Sequence, residues 1–213
     1  MSDEQALTEQ LLAAAVAALR EDPAERLSLR RVAQRVGVSH QAPYVHFGTK
    51  RTFLAAVAGT GLRPAAAAAA RAVEAAGANP RDRLHALVEA YVEFIESQPH
   101  LHDLAYGPLV AKSDHPLLQE AAIAYWTVLH DAVAACQPVG TSEAEVLRRC
   151  ASAWGTAYGI ARLSAMGQIP AAVPAPAREL LHEAVDTLYH GWQGPDTAAG
   201  TEPAAAVDRP VAG

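Results

Sequence analysis

The sequence predicts an all-α protein of about nine helices. Apolar residues recur three and four positions apart, which is the spacing of one face of an α-helix. Alanine, the strongest helix former, dominates the composition, and the runs of β-branched residues that are typical of strands are missing. Gly and Pro fall mainly between the periodic segments, where they are expected to end helices.

Four helices are predicted in the N-terminal third. The first covers residues 4–20, and two short helices over 28–35 and 39–46 follow it. A longer helix begins near Thr49, a residue type that caps helix N-termini. We expect this helix to be kinked or loosened by three residues within it, Gly59, Gly61 and Pro64.

The predicted C-terminal helices are separated by further Pro and Gly signals. Asn79 and Pro80 are expected to start the next helix, which Pro99 ends. The others are predicted over 100–106, over 115–136, from Thr141 or Ser142 to about Met166, and over 177–192. Residues 193–213 lack large apolar side chains and are predicted to form a disordered tail.

Composition indicates a protein of a reducing compartment. The two cysteines, Cys136 and Cys150, form no CxxC pair and lie in apolar stretches, so we expect buried thiols and no cysteine-rich zinc site. The polar, acidic N-terminus does not resemble a signal peptide. No run of 18 apolar residues lacks charges or Pro and Gly breaks, so we expect no membrane span and a cytoplasmic location.

Charge is distributed unevenly along the chain. The formal net charge is −6, which by itself argues against nucleic acid as a partner. Residues 1–25 carry −5 and residues 74–213 carry −9, whereas residues 26–73 hold eight basic side chains and no Asp or Glu. A block of +8 within an acidic chain is a localised electrostatic footprint for DNA. The alternative is an ordinary solvated helical face.

Residues 27–54 have the pattern of a helix-turn-helix unit. Ser28 can cap a first helix, and Gly37 suits the left-handed conformation that a sharp turn between two helices requires. Ala33 is small enough to let the two helices approach each other, and Ser39 is the expected cap of the second. The second helix of such a unit enters the major groove.

The side chains of the second helix suit DNA. Ser39, His40 and Gln41 are expected at its exposed start, where Gln can pair with adenine and Ser or His can donate to bases or phosphates. The spacing of Tyr44, His46 and Lys50 would let them contact the phosphates of one DNA strand. The alternative for Tyr44 and His46 is ordinary helix packing.

Residues 28–57 resemble the DNA-binding domain of TetR-type transcriptional regulators. The match runs through Ala33, Gly37-Val38-Ser39, Tyr44, His46-Phe47, Lys50, Leu54 and Val57. The resemblance implies that Tyr44, His46 and Lys50 hold phosphates and that Ser39, His40, Gln41 and Ala42 read or flank bases. Ser28 and Arg30, at the start of the first helix, complete the set of expected DNA contacts.

Pro43 departs from the larger apolar residue of most members and is expected to remove a backbone donor one turn into the helix. The Ala-Pro-Tyr form occurs in a branch of the family with a Trp-x-x-x-His-Gly signature in the C-terminal domain. Trp154, Tyr158 and Gly159 stand at those places, so Tyr replaces His here. The resemblance therefore points to this branch.

The resemblance also implies a division of the chain. It predicts a DNA-binding domain over residues 1–60 and a ligand-sensing, dimerising domain over 61–192, before the tail. The expected interface of a homodimer lies on the last two helices, at Cys150, Ala153, Ala157, Ala161, Leu181, Ala184 and Leu188. From the pattern alone, an intramolecular core is an equal alternative.

Aromatic residues concentrate in the middle of the chain, where they can line an apolar pocket. The candidates are Tyr91, Phe94, Tyr125, Trp126, Trp154 and Tyr158. The alternative is that they simply fill the core.

Signals for metal or catalysis are weak. His100, His102 and His115 are expected to be solvated loop histidines, because their spacing does not place them on one helical face. Glu179-x-x-His182 resembles half of a di-iron motif without a second copy. No P-loop, HExxH or GxSxG motif occurs, so no metal, cofactor or catalytic residue is expected.

The sequence therefore predicts a ligand-responsive, homodimeric transcriptional regulator that binds double-stranded DNA. The expected form is a repressor that a small apolar effector releases from a pseudo-palindromic operator. The alternative is a helical-bundle enzyme or small-molecule-binding protein that uses the aromatic pocket.

Overall fold

The computed structural model describes residues 3–193, and in that range the chain is helical, with no strand. Two 3-10 turns, Ala24–Arg26 and Lys112–Asp114, accompany nine α-helices. The helices are α1 Asp3–Ala18, α2 Leu29–Val36, α3 Ala42–Phe47, α4 Lys50–Ala75, α5 Pro80–Ser97, α6 Pro99–Tyr106, α7 Pro116–Ala135, α8 Glu143–Ala165 and α9 Ala177–Gln193. The predicted fold class is confirmed.

The N-terminal head consists of α1, α2 and α3 packed against the first turns of α4. Leu11, Val32 and Phe53 are fully buried in its core. The Ser28 hydroxyl accepts a hydrogen bond from the backbone N–H of Arg31, which caps α2 as predicted. Gly37 ends α2 with a φ of 79°, the left-handed conformation predicted for the turn.

The predicted start of α3 is wrong by three residues. The helix begins at Ala42, and the preceding residues form a turn in which the Ala42 N–H donates to the Ser39 carbonyl at 3.0 Å. Ser39 is therefore not the helix cap. This shift also changes the role of Pro43, which is the second helical residue, where a backbone N–H has no intrahelical partner in any case. Pro43 removes no helical hydrogen bond.

α4 runs without interruption through the three residues expected to weaken it. Thr49 caps it as predicted, accepting from the Thr52 N–H at 3.1 Å. Gly59 and Gly61 serve close packing instead, because a Cβ at Gly59 would lie 2.3 Å from the backbone of Leu117 and Leu118 in α7. The pair α4 and α7 makes the most extensive helix contact in the described chain.

In the C-terminal bundle, α5, α6 and α7 pack against α4, while α8 and α9 pack against each other, α8 also against α7 and α9 also against α5. Asn79 caps α5 and Ser142 caps α8, as predicted. His115 caps α7 through Nδ1, which accepts from the Leu117 N–H at 3.2 Å. The expectation of a solvated loop histidine is therefore wrong for His115, because the imidazole is built into a helix end.

A chain of charged and polar side chains joins α5 to α9. Arg81 donates two hydrogen bonds to Asp186, at 2.8 and 2.7 Å, and His85 Nε2 lies 2.7 Å from the same carboxylate. The Arg81 guanidinium, followed by His85, lowers the pKa of Asp186 to about 2. His85 Nδ1 lies 2.6 Å from Nδ1 of His182, which continues the chain to Glu89. This polar seam fixes α9 against α5.

The sequence analysis expects no membrane span. Within residues 3–193, α4 is the one helix that is long and apolar enough to cross a bilayer. Its most apolar window is 61% buried inside the fold. That burial is typical of the core helix of a folded domain.

The predicted domain boundary at residues 60 and 61 falls inside α4, so the same helix serves both predicted domains. The division stays a prediction. Gln193 is the last residue of α9 rather than the first of a tail, and residues 194–213 lie outside the described range.

The close α4–α7 contact generates a prediction for stability. Gly59→Ala should destabilise the protein by about 2 kcal/mol, since overpacking against backbone outweighs the gain in helix propensity of about 1 kcal/mol. Gly191→Ala is the matched control, because a Cβ there meets no atom within 4 Å. Urea unfolding of both variants measures the difference. Equal stability of the two variants would contradict the close contact.

Candidate DNA-binding surface and ligand cavity

The turn before α3 and the outer face of α3 form one exposed surface. Ser39, His40 and Gln41 are exposed, and Gln41 Nε2 lies 3.4 Å from His40 Nε2. Tyr44 is 46% exposed and Lys50 is exposed at the start of α4. The predicted base-reading and phosphate-binding side chains therefore lie on one side of the head. Their contacts with DNA stay predictions.

The cations of the head are largely free to meet an anion. Arg30 and Lys50 are exposed and have no ion-pair partner in residues 3–193. Arg35 pairs weakly with Glu21 at 3.5 Å, and Arg51 pairs with Asp114 at 2.7 Å. The Arg and Lys side chains from Arg26 to Arg51 are thus exposed on the surface of the folded head.

His46 and Ser28 are less available than the pattern predicts. The side chain of His46 is 12% exposed, and its Nδ1 lies 3.3 Å from the Thr8 hydroxyl of α1. Packing of α3 against α1 is thus one role of His46, and a phosphate contact stays a prediction. Ser28 is half-buried with its hydroxyl engaged as a cap, and Ala42 is half-buried as the first residue of α3.

The sequence reasoning missed Val45, which is 78% exposed beside Tyr44 on α3. An exposed apolar side chain on a helix that enters the major groove can contact the methyl group of thymine. Helix geometry could have predicted this exposure. Pro43 and Phe47 are four residues apart and share the buried face of α3, so Val45, midway between them, lies on the opposite face.

Most of the residues predicted for the dimer interface lie inside the single chain. Cys150, Ala153, Ala161 and Leu181 are buried within the protomer, and Ala157 lines an internal cavity. Their packing within one chain favours the intramolecular alternative, and the dimer interface stays a prediction. Ala184 and Leu188 remain half-buried on α9.

An apolar cavity lies between α5, α7, α8 and α9. Four of the six predicted pocket residues line it: Tyr91, Tyr125, Trp126 and Trp154. The sequence reasoning missed the other lining side chains, which are Leu84, Leu87, Val88, Tyr106, Lys112, Ala122, Leu129, Ala153, Ala157 and Val185. Apart from Tyr106 and Lys112 these residues are aliphatic, a type that any helix core shares, so only the packing of the helices identifies them.

Phe94 and Tyr158 do not line this cavity, which corrects the prediction for both. Phe94 is buried with its ring centroid 5.8 Å from that of His102. Tyr158 lies on a separate, more polar depression with Arg162, and its ring is 5.9 Å from His102.

His102 was expected to be solvated, and this expectation is wrong. It is 2% exposed, on the inner face of α6, and its Nε2 lies 3.1 Å from the Tyr91 hydroxyl. Burial lowers the pKa of His102 to about 4, so the imidazole is neutral at pH 7. In the tautomer protonated at Nδ1, its Nε2 accepts from the Tyr91 O–H. The pair fixes one wall of the cavity.

A short segment links the cavity to the head. Lys112 lines the cavity, and two residues later Asp114 pairs with Arg51 at the start of α4. The Ala111 N–H, followed by Arg51, holds the pKa of Asp114 below its usual value. The ring of His115 lies 6.2 Å from that of Phe47, the last residue of α3. Residues 111–115 therefore touch both functional regions.

Within residues 3–193, no group of three or more His, Cys, Asp or Glu side chains is arranged to hold a metal ion. His182 of the Glu179-x-x-His182 pattern instead contacts His85 and Glu89 in the polar seam. Both cysteines are buried, as predicted, and burial raises the pKa of each thiol to about 11.

Comparison with known families matches both parts of the chain. Residues 11–57 match the family described as bacterial regulatory proteins, tetR family. Residues 84–188 match the family described as tetracyclin repressor-like, C-terminal domain. That description does not distinguish the Trp-x-x-x-His-Gly branch, which stays a prediction. No curated protein matches the chain.

Solved structures with the same fold cover nearly the whole described chain. A protein of unknown function from Rhodococcus sp. RHA1 is 34% identical, with a TM-score of 0.69 over 87% of this chain and 95% of its own. A TetR transcriptional regulator from the same organism is 17% identical, with a TM-score of 0.64 over 88% and 97%. The TetR family regulator PfmR from Thermus thermophilus is 20% identical, with a TM-score of 0.58 over 85% and 97%. The last two show the fold alone.

Burial of His102 generates a prediction for the pH dependence of stability. Its folded pKa of about 4 lies below the 6.5 of an unfolded histidine, so the unfolded state binds more protons between these values. Stability is therefore present above pH 6.5 and is lost as the pH falls toward 4, by roughly 2–3 kcal/mol.

His102→Gln keeps an acceptor for Tyr91 and does not titrate. It should be less stable than the parent at pH 7, and the difference in melting temperature should shrink by pH 4.5. Melting curves that stay parallel across this range would contradict a buried neutral His102. Asp103 and Arg162, the charged groups near the ring, are unchanged in the variant.

Proposed function

The chain belongs to the TetR family of bacterial regulatory proteins, and on this premise we propose that it is a cytoplasmic, homodimeric repressor released from its operator by a small apolar effector. Membership makes it a DNA-binding transcriptional regulator rather than an enzyme. The observation that supports the proposal best is the combination of an exposed basic head with an apolar cavity, joined by residues 111–115.

The proposed DNA contact uses the exposed side of the head. Gln41 and His40 would reach base edges, Val45 would meet a thymine methyl, and Tyr44 and Lys50 would hold phosphates. Because phosphate contacts release counterions, binding should weaken steeply with salt. The acidic remainder of the chain would disfavour other orientations on DNA.

The proposed dimer contact uses the outward faces of α8 and α9. Gly155 and Gly159 lie four residues apart on α8, and a Cβ at either would meet no atom within 4 Å in the protomer. Leu163 is 49% exposed on the same side of the helix. Two small residues beside an exposed apolar one permit the close helix approach of a two-fold interface, with half-buried Ala184 and Leu188 on the neighbouring α9.

The proposed ligand response passes through residues 111–115. A ligand in the cavity that moves Lys112 also moves Asp114 and His115, which contact Arg51 and Phe47 in the head. In a dimer, a small change at this point alters the separation of two heads. Ligand and DNA are then coupled reciprocally, by about 1–3 kcal/mol as is usual for such pairs of sites.

The proposed DNA contacts generate a prediction for affinity. Tyr44→Phe and Lys50→Ala should weaken binding to all DNA sequences alike, and Lys50→Ala should reduce the slope of log affinity against log salt by about 1. Gln41→Ala should cost about 1–3 kcal/mol on the preferred sequence and relax specificity. Fluorescence anisotropy with operator DNA, first selected from a random pool, measures each effect.

The control is Arg71→Ala, which removes one exposed cation 21 residues further along α4, about 30 Å from Lys50. It should leave DNA affinity unchanged. An unaltered affinity and salt slope for Lys50→Ala would show that the head does not bind DNA in this way.

The proposed dimer contact generates a prediction for molecular mass. Gly155→Leu should convert a dimer, with twice the 22.4 kDa of one chain, into a monomer, because the side chain enters the proposed close contact between helices. Light scattering after gel filtration measures the mass. Ala68→Leu, which adds similar apolar bulk at an exposed site of α4, should stay dimeric. A dimeric Gly155→Leu would place the interface elsewhere.

A further inference from the structure

Within the described residues, the apolar cavity is lined by few polar groups, and the one charged side chain among them, Lys112, is positive. The Tyr125 hydroxyl is buried and has no hydrogen-bond partner among residues 3–193. Burial raises the pKa of Tyr125 above its usual range, so the phenol keeps its proton at neutral pH and can donate it. An unpaired buried hydroxyl costs free energy, and a ligand oxygen that reaches it as the surrounding side chains move would relieve that cost. In this conformation the hydroxyl oxygen has almost no accessible surface.

Lys112 is the second donor. Its Nζ lies 5.5 Å from the centroid of the Trp154 ring, and it has no ion-pair partner in the described part of the chain. The acidic residue that follows it by two positions, Asp114, pairs with Arg51 instead. Lys112 therefore presents an uncompensated positive charge beside an apolar space.

Lys112 also stands at the entrance. Lys112, Ala122 and Trp126 line both the cavity and an outer depression that reaches Ser113, Gln119 and Ile123. Ile123 is 57% exposed, so this depression opens to solvent. A ligand whose apolar part fills the cavity would therefore leave its other end at the Lys112 ammonium.

No carboxylate lines the cavity in the described structure. The Tyr91 hydroxyl, which also lines it, is bonded to His102. The hydroxyls of Tyr91, Tyr106 and Tyr125 can each donate or accept, so they do not distinguish one ligand charge from another. Among the described residues, Lys112 is the one charged residue that lines the cavity, and its positive charge favours an anion and disfavours a cation.

We propose that the effector site recognises an apolar organic monoanion, a carboxylate in its simplest form, with the anionic group at Lys112 and an oxygen within reach of Tyr125. The cavity has a volume of about 70 Å³ in this conformation, well below the roughly 300–1,000 Å³ of typical ligand pockets. Entry of the apolar part must therefore displace side chains such as Trp126 or Trp154. This inference rests on the proposed effector function of the cavity.

The experiment compares acids with their uncharged amides of equal shape by isothermal titration calorimetry. The probes are benzoate and benzamide, 2-naphthoate and 2-naphthamide, and octanoate and octanamide, each with the full-length protein at pH 7. At least one acid should bind tenfold or more tightly than its amide. Lys112→Gln should abolish that preference, whereas Tyr125→Phe should weaken the acid several-fold without removing the preference.

Arg71→Gln is the matched control, since it removes an exposed cation of α4 that does not line the cavity, and it should bind as the parent does. Circular dichroism establishes that each variant is folded. Amides that bind as tightly as acids, a preference that survives Lys112→Gln, or no binding of any probe at 5 mM, would each overturn the inference.

A separate DNA titration of the ligand-free protein keeps the two proposals distinguishable. DNA binding without a charge preference in the cavity would refute the ligand class alone. A charge preference without DNA binding would leave the ligand class standing and refute the proposed repressor.

Discussion

Helices α4 and α7 approach each other closely at Gly59, and this pair makes the most extensive helix contact in residues 3–193. A hydrogen in place of a side chain lets the backbone of Leu117 and Leu118 lie against α4, at a distance that any Cβ would prevent. α4 begins at the DNA-binding head and ends within the C-terminal bundle, while α7 supplies one wall of the cavity. One contact between two backbones thus sets the position of the head relative to the cavity.

Two further contacts, at Arg51 and at Phe47, join the head to the segment that precedes α7. Arg51 is held by Asp114, and Phe47 is packed near His115, so both the first turn of α4 and the end of α3 rest on the segment that precedes α7. On the opposite side, the seam of Arg81, Asp186 and the two histidines fixes α9 against α5. The bundle is therefore braced on its α5–α9 side, and the segment after α6 joins its other side to the head.

Local chemistry explains which features the sequence could predict. Helix ends depend on a few neighbouring residues, so Ser28, Thr49, Asn79 and Ser142 were identifiable as caps from residue type alone. The start of α3 was misplaced because Ser39 has the same cap chemistry, whereas the turn geometry after Gly37 decides which residue is first in the helix.

Side-chain direction across helices depended on tertiary packing and could not be predicted. The spacing of Ala153, Ala157 and Ala161 marks a packed face of α8, but an inward and an outward partner produce the same pattern. His102 is a second example: its residue type favours the surface, whereas in the fold the Tyr91 hydroxyl lies at hydrogen-bond distance from the buried imidazole.

The small volume of the cavity relates these contacts to the proposed response to a ligand. A cavity of about 70 Å³ cannot admit an organic ligand by simple filling, so binding must change the packing of Trp126, Trp154 or Lys112. The contact at Gly59 resists separation of α7 from α4, because the backbones already touch. In the response that we propose, the displacement passes through residues 111–115 to Arg51 and Phe47. By the reciprocity of coupling, DNA that holds the head in place would then oppose the same displacement and weaken ligand binding.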